Sequence, residues 1–175
     1  MTIKRMLYIS LSAAILSISV ILLPPVSVPI INVSVTLQTL FIVLFGFIFK
    51  PIDAFLSVFI YVVLGAFGLP IFSGMQGGFQ VILGPTGGFI MLFPLVSFAI
   101  SIFKSKHKHK IHDLFIGFMF SIVMLYLIGT IWLAFVIRIS YLQALFSMLI
   151  FIPFDLIKLL LGYAIYRKLP NDLLN

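Results

Sequence analysis

Long apolar stretches, broken at short intervals by proline, glycine and lysine, dominate this chain and predict six transmembrane helices. The spans cover residues 6–23, 33–49, 51–67, 88–103, 114–137 and 141–167. A hydrocarbon core of about 30 Å takes ~20 helical residues, so the second and third spans are short. Lys50-Pro51 alone separates them, which predicts a tight helical hairpin. Pro51 falls at the first helical position, where its missing N–H costs nothing. Pro24-Pro25 is read as the end of the first span and Asp113 as the N-cap of the fifth.

Two ionisable residues interrupt the sixth span. Asp155 and Lys158 lie inside FSMLIFIPFDLIKLLLGYAIY, three residues apart and therefore on one helix face. Each costs ~2.5–3.5 kcal/mol at a helix centre, and ionisable groups at membrane depth generally mark function. The pair reads either as a polar ligand site or as a structural ion pair pinning two helices. At about 1.5 Å per residue, Asp155 lies about 21 Å along the helix from Tyr141. That is near mid-membrane unless the helix begins above the bilayer or Pro153 breaks it.

Charge orients the spans. Lys4, Arg5, Lys50, Lys104, Lys106, Lys108, Lys110, Arg167 and Lys168 all fall on one side of a six-span topology. The positive-inside rule makes that side the cytoplasm and puts both termini there. Arg138 is left outside as an interfacial anchor. Lys4-Arg5 and the following apolar run imitate a signal peptide, but no small-residue cleavage site follows, so an uncleaved helix is expected.

Composition narrows the function. The chain is 63% hydrophobic and 9% charged, with a mean hydropathy of +1.32, which predicts an integral membrane protein that is one bundle over residues 1–175. It has no cysteine, which excludes disulfides, thiolate catalysis and cysteine-ligated metals. It has no glutamate and four aspartates, which leaves little for carboxylate catalysis, so an enzyme is not expected. A channel would line several helices with polar groups, whereas here one span carries charge. The net charge of +7 is explained by topology and does not suggest nucleic acid. His107, His109 and His112 alternate with lysines, which oppose a metal cation, so a solvated loop is expected.

Several uncharged features surround the pair. Residues 24–33 and 68–88 carry no charge, and the second segment is rich in glycine. Non-helical backbone this apolar is tolerated near a membrane where it packs on protein or lines a cavity, which predicts an outer lid or pocket wall. GPTGG leads into the fourth span, and a helix N-terminus offers free N–H groups. No Gly-Lys-Ser/Thr follows it, so it is not a Walker A loop and the chain is not expected to draw on ATP by itself. Thr36 and Gln38 near the outer end of the second span serve either a ligand or an interhelical bond. Ser10, Ala13, Ala14 and Ser17 form two small-xxx-small pairs on the first span, fit either for bundle packing or for docking another membrane subunit.

The motifs VTLQTL (35–40), YVVLGAFGLPIF (61–72), GG…LGPTGGF (77–89) and FIPFDLIK (151–158), in this order, resemble the BioY family, the biotin-binding S components of energy-coupling factor (ECF) transporters. The resemblance implies the six-helix S-component fold. It also implies biotin as the transported ligand, with no cofactor, and uptake across the cytoplasmic membrane. A transmembrane coupling subunit and two cytoplasmic ATPase subunits are the implied partners. An S component for another vitamin and a stand-alone permease are the alternatives. By resemblance, Asp155 and Lys158 lie near the biotin head group and Gln76 lies in the lid loop. Tyr61, Thr86 and Gly87 belong to the matched motifs and join Thr36 and Gln38 as candidate contacts. Phe72, Phe79, Phe89 and Trp132 are candidates for an apolar slot. The small residues of the first span match the docking surface. Phe154, beside Asp155, is bulky enough to narrow the pocket. Asp155→Ala and Lys158→Ala are each expected to weaken biotin binding at least tenfold, about 1.4 kcal/mol, without unfolding the protein.

Overall fold

Apolar residues at helical spacing build a helical bundle in the computed structural model, which describes residues 3–22, 26–28 and 33–169. In chain order the elements are α1 (Ile3–Leu22), β1 (Val26–Val28), β2 (Val33–Val35), α2 (Gln38–Ile48), α3 (Pro51–Ala66), α4 (Phe79–Ile82) and α5 (Gly87–Phe103), followed by α6 (Lys110–Phe118), α7 (Leu125–Ile137), α8 (Tyr141–Met148) and α9 (Ile152–Lys168). A π turn (Met119–Met124) joins α6 to α7, and a 3-10 turn (Leu149–Phe151) joins α8 to α9. Among the described residues three helices are long and apolar enough to cross a membrane: Ile3–Val20, Lys110–Ile137 and Tyr141–Lys168. The apolar helices Gln38–Ile48, Pro51–Ala66 and Gly87–Phe103 are shorter.

The structure corrects three boundaries. The second helix starts at Gln38, not at residue 33, because Val33–Val35 pairs antiparallel with Val26–Val28. Alternating Val and Ser favours a strand, since β-branched side chains suit a pleated surface. The fifth helix starts at Lys110, capped by the His109 imidazole, which accepts from the His112 N–H. Asp113 is therefore not the cap. It is buried in the first turn, and its carboxylate accepts from Ser105 N at 2.6 Å and Ser105 Oγ at 3.0 Å. The sixth span is divided by the 3-10 turn at Leu149–Phe151, and Pro153 lies in the first turn of α9, where a proline is tolerated. Pro24-Pro25 lies outside the described residues.

Helix α2 occupies the centre, packed against α3, α5 and α9, while α5 continues to α7 and α1 lies on α3. Gly46 permits a close crossing of α2 and α5, since a Cβ there would meet Ile100 Cβ at 2.8 Å. Phe47 stacks on Tyr166 at 5.3 Å and fixes α2 against α9. The small residues of α1 do not share one surface. Ala13 is buried in the bundle, Ser17 is half-buried and donates to the Ala13 carbonyl at 2.8 Å, and Ser10 and Ala14 face outward. Large apolar side chains such as Leu11, Ile18, Ile131, Phe135, Leu160 and Leu161 also face outward, as a lipid-facing surface requires. Asp53 lies in the first turn of α3 and pairs with Arg5 of α1.

The α2–α3 hairpin is tied from α5. Lys104 Nζ donates to the carbonyls of Phe47 and Phe49 at 2.7 Å each and to Gly46 at 3.3 Å, where α2 leaves carbonyls unpaired. Burial lowers the pKa of Lys104 to about 8 against an ordinary 10.5, with Asp113 pulling the other way. Between those values the folded state holds fewer protons than the unfolded chain, so this group makes stability rise with pH. Thermal unfolding in detergent at pH 7.5 and pH 10 is expected to show that rise in the parent, and a smaller one in Lys104→Met. The variant also exposes the hairpin to a loss of about 1–3 kcal/mol from carbonyls left without a donor.

Candidate functional site

Where the N-terminal turns of α2 and α5 face the α8–α9 rod, the bundle leaves a cavity of about 80 Å³. One water needs ~10–15 Å³ on a comparable measure. Met148, Phe151, Asp155 and Lys158 recur at intervals of three and four, so one face of the α8–α9 rod forms a wall. Phe89, Ile90 and Phe93 of α5 form the apolar wall. Leu125 and Tyr126 follow the π turn directly. A π turn adds a residue to the helical register and rotates every later side chain by roughly 100°.

Asp155 is held from three helices. Its Oδ1 accepts from Lys158 Nζ at 2.7 Å and from Thr39 Oγ1 at 2.9 Å, and its Oδ2 accepts from the Tyr126 hydroxyl. Lys158 Nζ also donates to Thr39 Oγ1 at 3.2 Å. Both charged groups are about nine-tenths buried. The ion pair lies within α9, so it does not itself join two helices; Thr39 of α2 and Tyr126 of α7 make the joins. A carboxylate offers about four lone-pair sites, of which three are used, and an ammonium has three protons, of which two are used. The pair thus keeps capacity for a ligand while being neutralised without one.

Six of the sequence candidates meet here: Asp155, Lys158, Thr36, Gln38, Thr86 and Phe89 all line the cavity. Thr36 donates to Gln38 Oε1 at 3.0 Å, and Gln38 Nε2 donates to the Tyr61 hydroxyl. The others stand behind or outside the wall. Tyr61 is fully buried and donates to the Ile71 carbonyl at 2.9 Å, anchoring the loop after α3. Phe72 is buried against Tyr61 with ring centroids 5.6 Å apart. Gly87 is a close-approach residue, since a Cβ there would lie 1.7 Å from the Ile82 carbonyl oxygen. Gln76 and Phe79 are exposed. Trp132 instead donates to the Gly84 carbonyl at 2.9 Å. Phe154 is 49% exposed and turned away, so it leaves the cavity unnarrowed. Sequence reasoning missed Thr39, Tyr126 and Ser73, which line the cavity. Among the described residues no cluster suited to a metal ion occurs.

A largely apolar cavity with a few converging polar groups, inside a bundle that turns apolar side chains outward, defines an integral membrane protein with a candidate small-ligand site. The chain belongs to the BioY family, whose model matches residues 1–174. It is 36% identical over 153 residues to the "Probable biotin transporter BioY" of Bacillus subtilis (strain 168), covering 86% of this chain and 82% of that one. It is 34% identical over 170 residues to "Biotin transporter BioY2" of Lactococcus lactis subsp. cremoris (strain MG1363), covering 93% and 90%. Its fold superposes with a TM-score of 0.87 on the crystal structure of the S-component for biotin from an ECF-type ABC transporter. That match has 31% identity and covers 96% of this chain and 93% of the other.

Proposed function

We propose that this chain captures biotin and carries it as the S component of an ECF-type ABC transporter in the cytoplasmic membrane. The observation that carries this reading is the neutralised Asp155–Lys158 pair on an otherwise apolar cavity, in a chain of the BioY family. Biotin matches such a site: its ureido ring has two N–H donors and one carbonyl, and its bicyclic body and valerate chain are apolar. The free proton of Lys158 suits the carbonyl, and Phe89, Phe93 and Phe151 suit the rings. Biotin is cargo, and no cofactor is required.

The chain in this reading is one substrate-binding unit over residues 1–175, crossing the membrane six times with both termini in the cytoplasm. The distribution of lysine and arginine supports that orientation. Energy comes from two ATPase subunits through a transmembrane coupling subunit, since this chain has no phosphate-binding lysine loop. The outward-facing Ser10 and Ala14 of α1 are the small residues available for docking that subunit.

Ser73 and Thr86, from the segment between Gly68 and Gly87, line the cavity that would receive biotin. Trp132, the single tryptophan, is bonded to Gly84 in that segment. Its fluorescence is expected to change saturably as biotin is added to the purified protein. Competition in detergent tests the ligand. Biotin should displace labelled biotin stoichiometrically, and riboflavin and thiamine should not. Displacement by either vitamin in place of biotin would refute the assignment.

A further inference from the structure

Ser73 Oγ is fully buried, has no hydrogen-bond partner among the described residues, and lines the cavity. Buried hydroxyls without partners are uncommon and destabilising. The loop holds this one in place. Phe72, its neighbour, is fully buried on Gly65, where a Cβ would come within 2.3 Å of the ring. Phe72 and Gln76 exchange two backbone bonds, at 2.9 and 3.3 Å, closing the turn that contains Ser73. Gly74 and Met75 complete it with positive φ of 74° and 56°. The hydroxyl is thus fixed at the cavity wall with its hydrogen-bonding capacity unused.

Two of the cavity's other acceptors are already engaged. Asp155 already receives three donors, and Gln38 Oε1 receives Thr36. A ureido ring brings two N–H donors that the apolar wall cannot receive. We propose that Ser73 is a specificity-determining residue that accepts a hydrogen bond from one ureido N–H of bound biotin. This assignment rests on the biotin reading above. Before binding, the unpaired hydroxyl is a stability cost; in the complex it becomes a contact that analogues without the N–H lose.

The test compares the parent with Ser73→Ala, using biotin and the two analogues methylated at one or the other ureido nitrogen. Ser73→Ala is expected to weaken biotin about tenfold while its thermal midpoint without ligand stays equal or rises. One methylated analogue, lacking the N–H that Ser73 receives, should bind parent and variant alike. Unchanged biotin affinity in Ser73→Ala would overturn the assignment. Equal weakening of biotin and both analogues would also overturn it, since that marks a structural role. A parent that binds no biotin would remove the underlying reading, a result distinct from either.

Discussion

Asp155→Ala is expected to lower biotin affinity at least tenfold, about 1.4 kcal/mol, and also to destabilise the protein. The second effect revises what the sequence suggested. The carboxylate neutralises an ammonium whose side chain is 11% exposed. Removing one member of a buried pair costs about 3–5 kcal/mol, because the other charge is left unpaired. Replacing both members by apolar residues of similar volume is often neutral or stabilising. Asp155→Leu with Lys158→Met should therefore recover much of the thermal midpoint lost in Asp155→Ala, short of the share that Thr39 and Tyr126 lose with their acceptor, and still fail to bind biotin. Thermal unfolding and equilibrium binding on the same three proteins separate support of the bundle from grip on the ligand. A double variant that regained affinity along with stability would leave the pair a structural role alone.

Gly87→Ala is expected to have the other large effect, although Gly87 does not line the cavity. An added Cβ would lie 1.7 Å from the carbonyl oxygen of Ile82, and backbone cannot swing aside as a side chain can. Either α4 or the start of α5 must move. The start of α5 carries Thr86, Phe89 and Ile90 into the cavity wall, so the site is deformed from behind. Overpacking of this kind costs about 1–3 kcal/mol. Biotin affinity should fall at least tenfold with it. The thermal midpoint and the biotin dissociation constant of Gly87→Ala check both. Parent-like values for both would mean that the α4–α5 junction yields freely.

Much of the bundle was legible because membrane helices write themselves as uninterrupted apolar runs, with basic residues at the breaks. Asp155 and Lys158 stood out for the same reason, as charges where charge is expensive. Their companions left no such mark. Tyr126 is an ordinary aromatic in an apolar helix, and it reaches Asp155 after a π turn that no residue pattern announced. Thr39 joins Asp155 across a separation of 116 residues, a proximity that local periodicity cannot express.

The loops were harder still. Val33–Val35 reads as the start of a helix when hydropathy alone is counted, and its pairing with Val26–Val28 decides otherwise. Tyr61 and Phe72 belong to the matched motifs, yet they serve the cavity from behind by anchoring the loop that carries Ser73. The motif marked the right region without distinguishing the wall from its supports. Asp113 looked like a cap by position, but its carboxylate turns back to hold Ser105 of the preceding loop.

Binding of radiolabelled biotin to the purified parent and to the Asp155→Leu/Lys158→Met double variant, both in detergent, is the most direct test. Saturation at one biotin per parent chain, with none retained by a folded double variant, is the predicted result. A parent that retains no biotin, or a double variant that saturates at the same concentration as the parent, would contradict it.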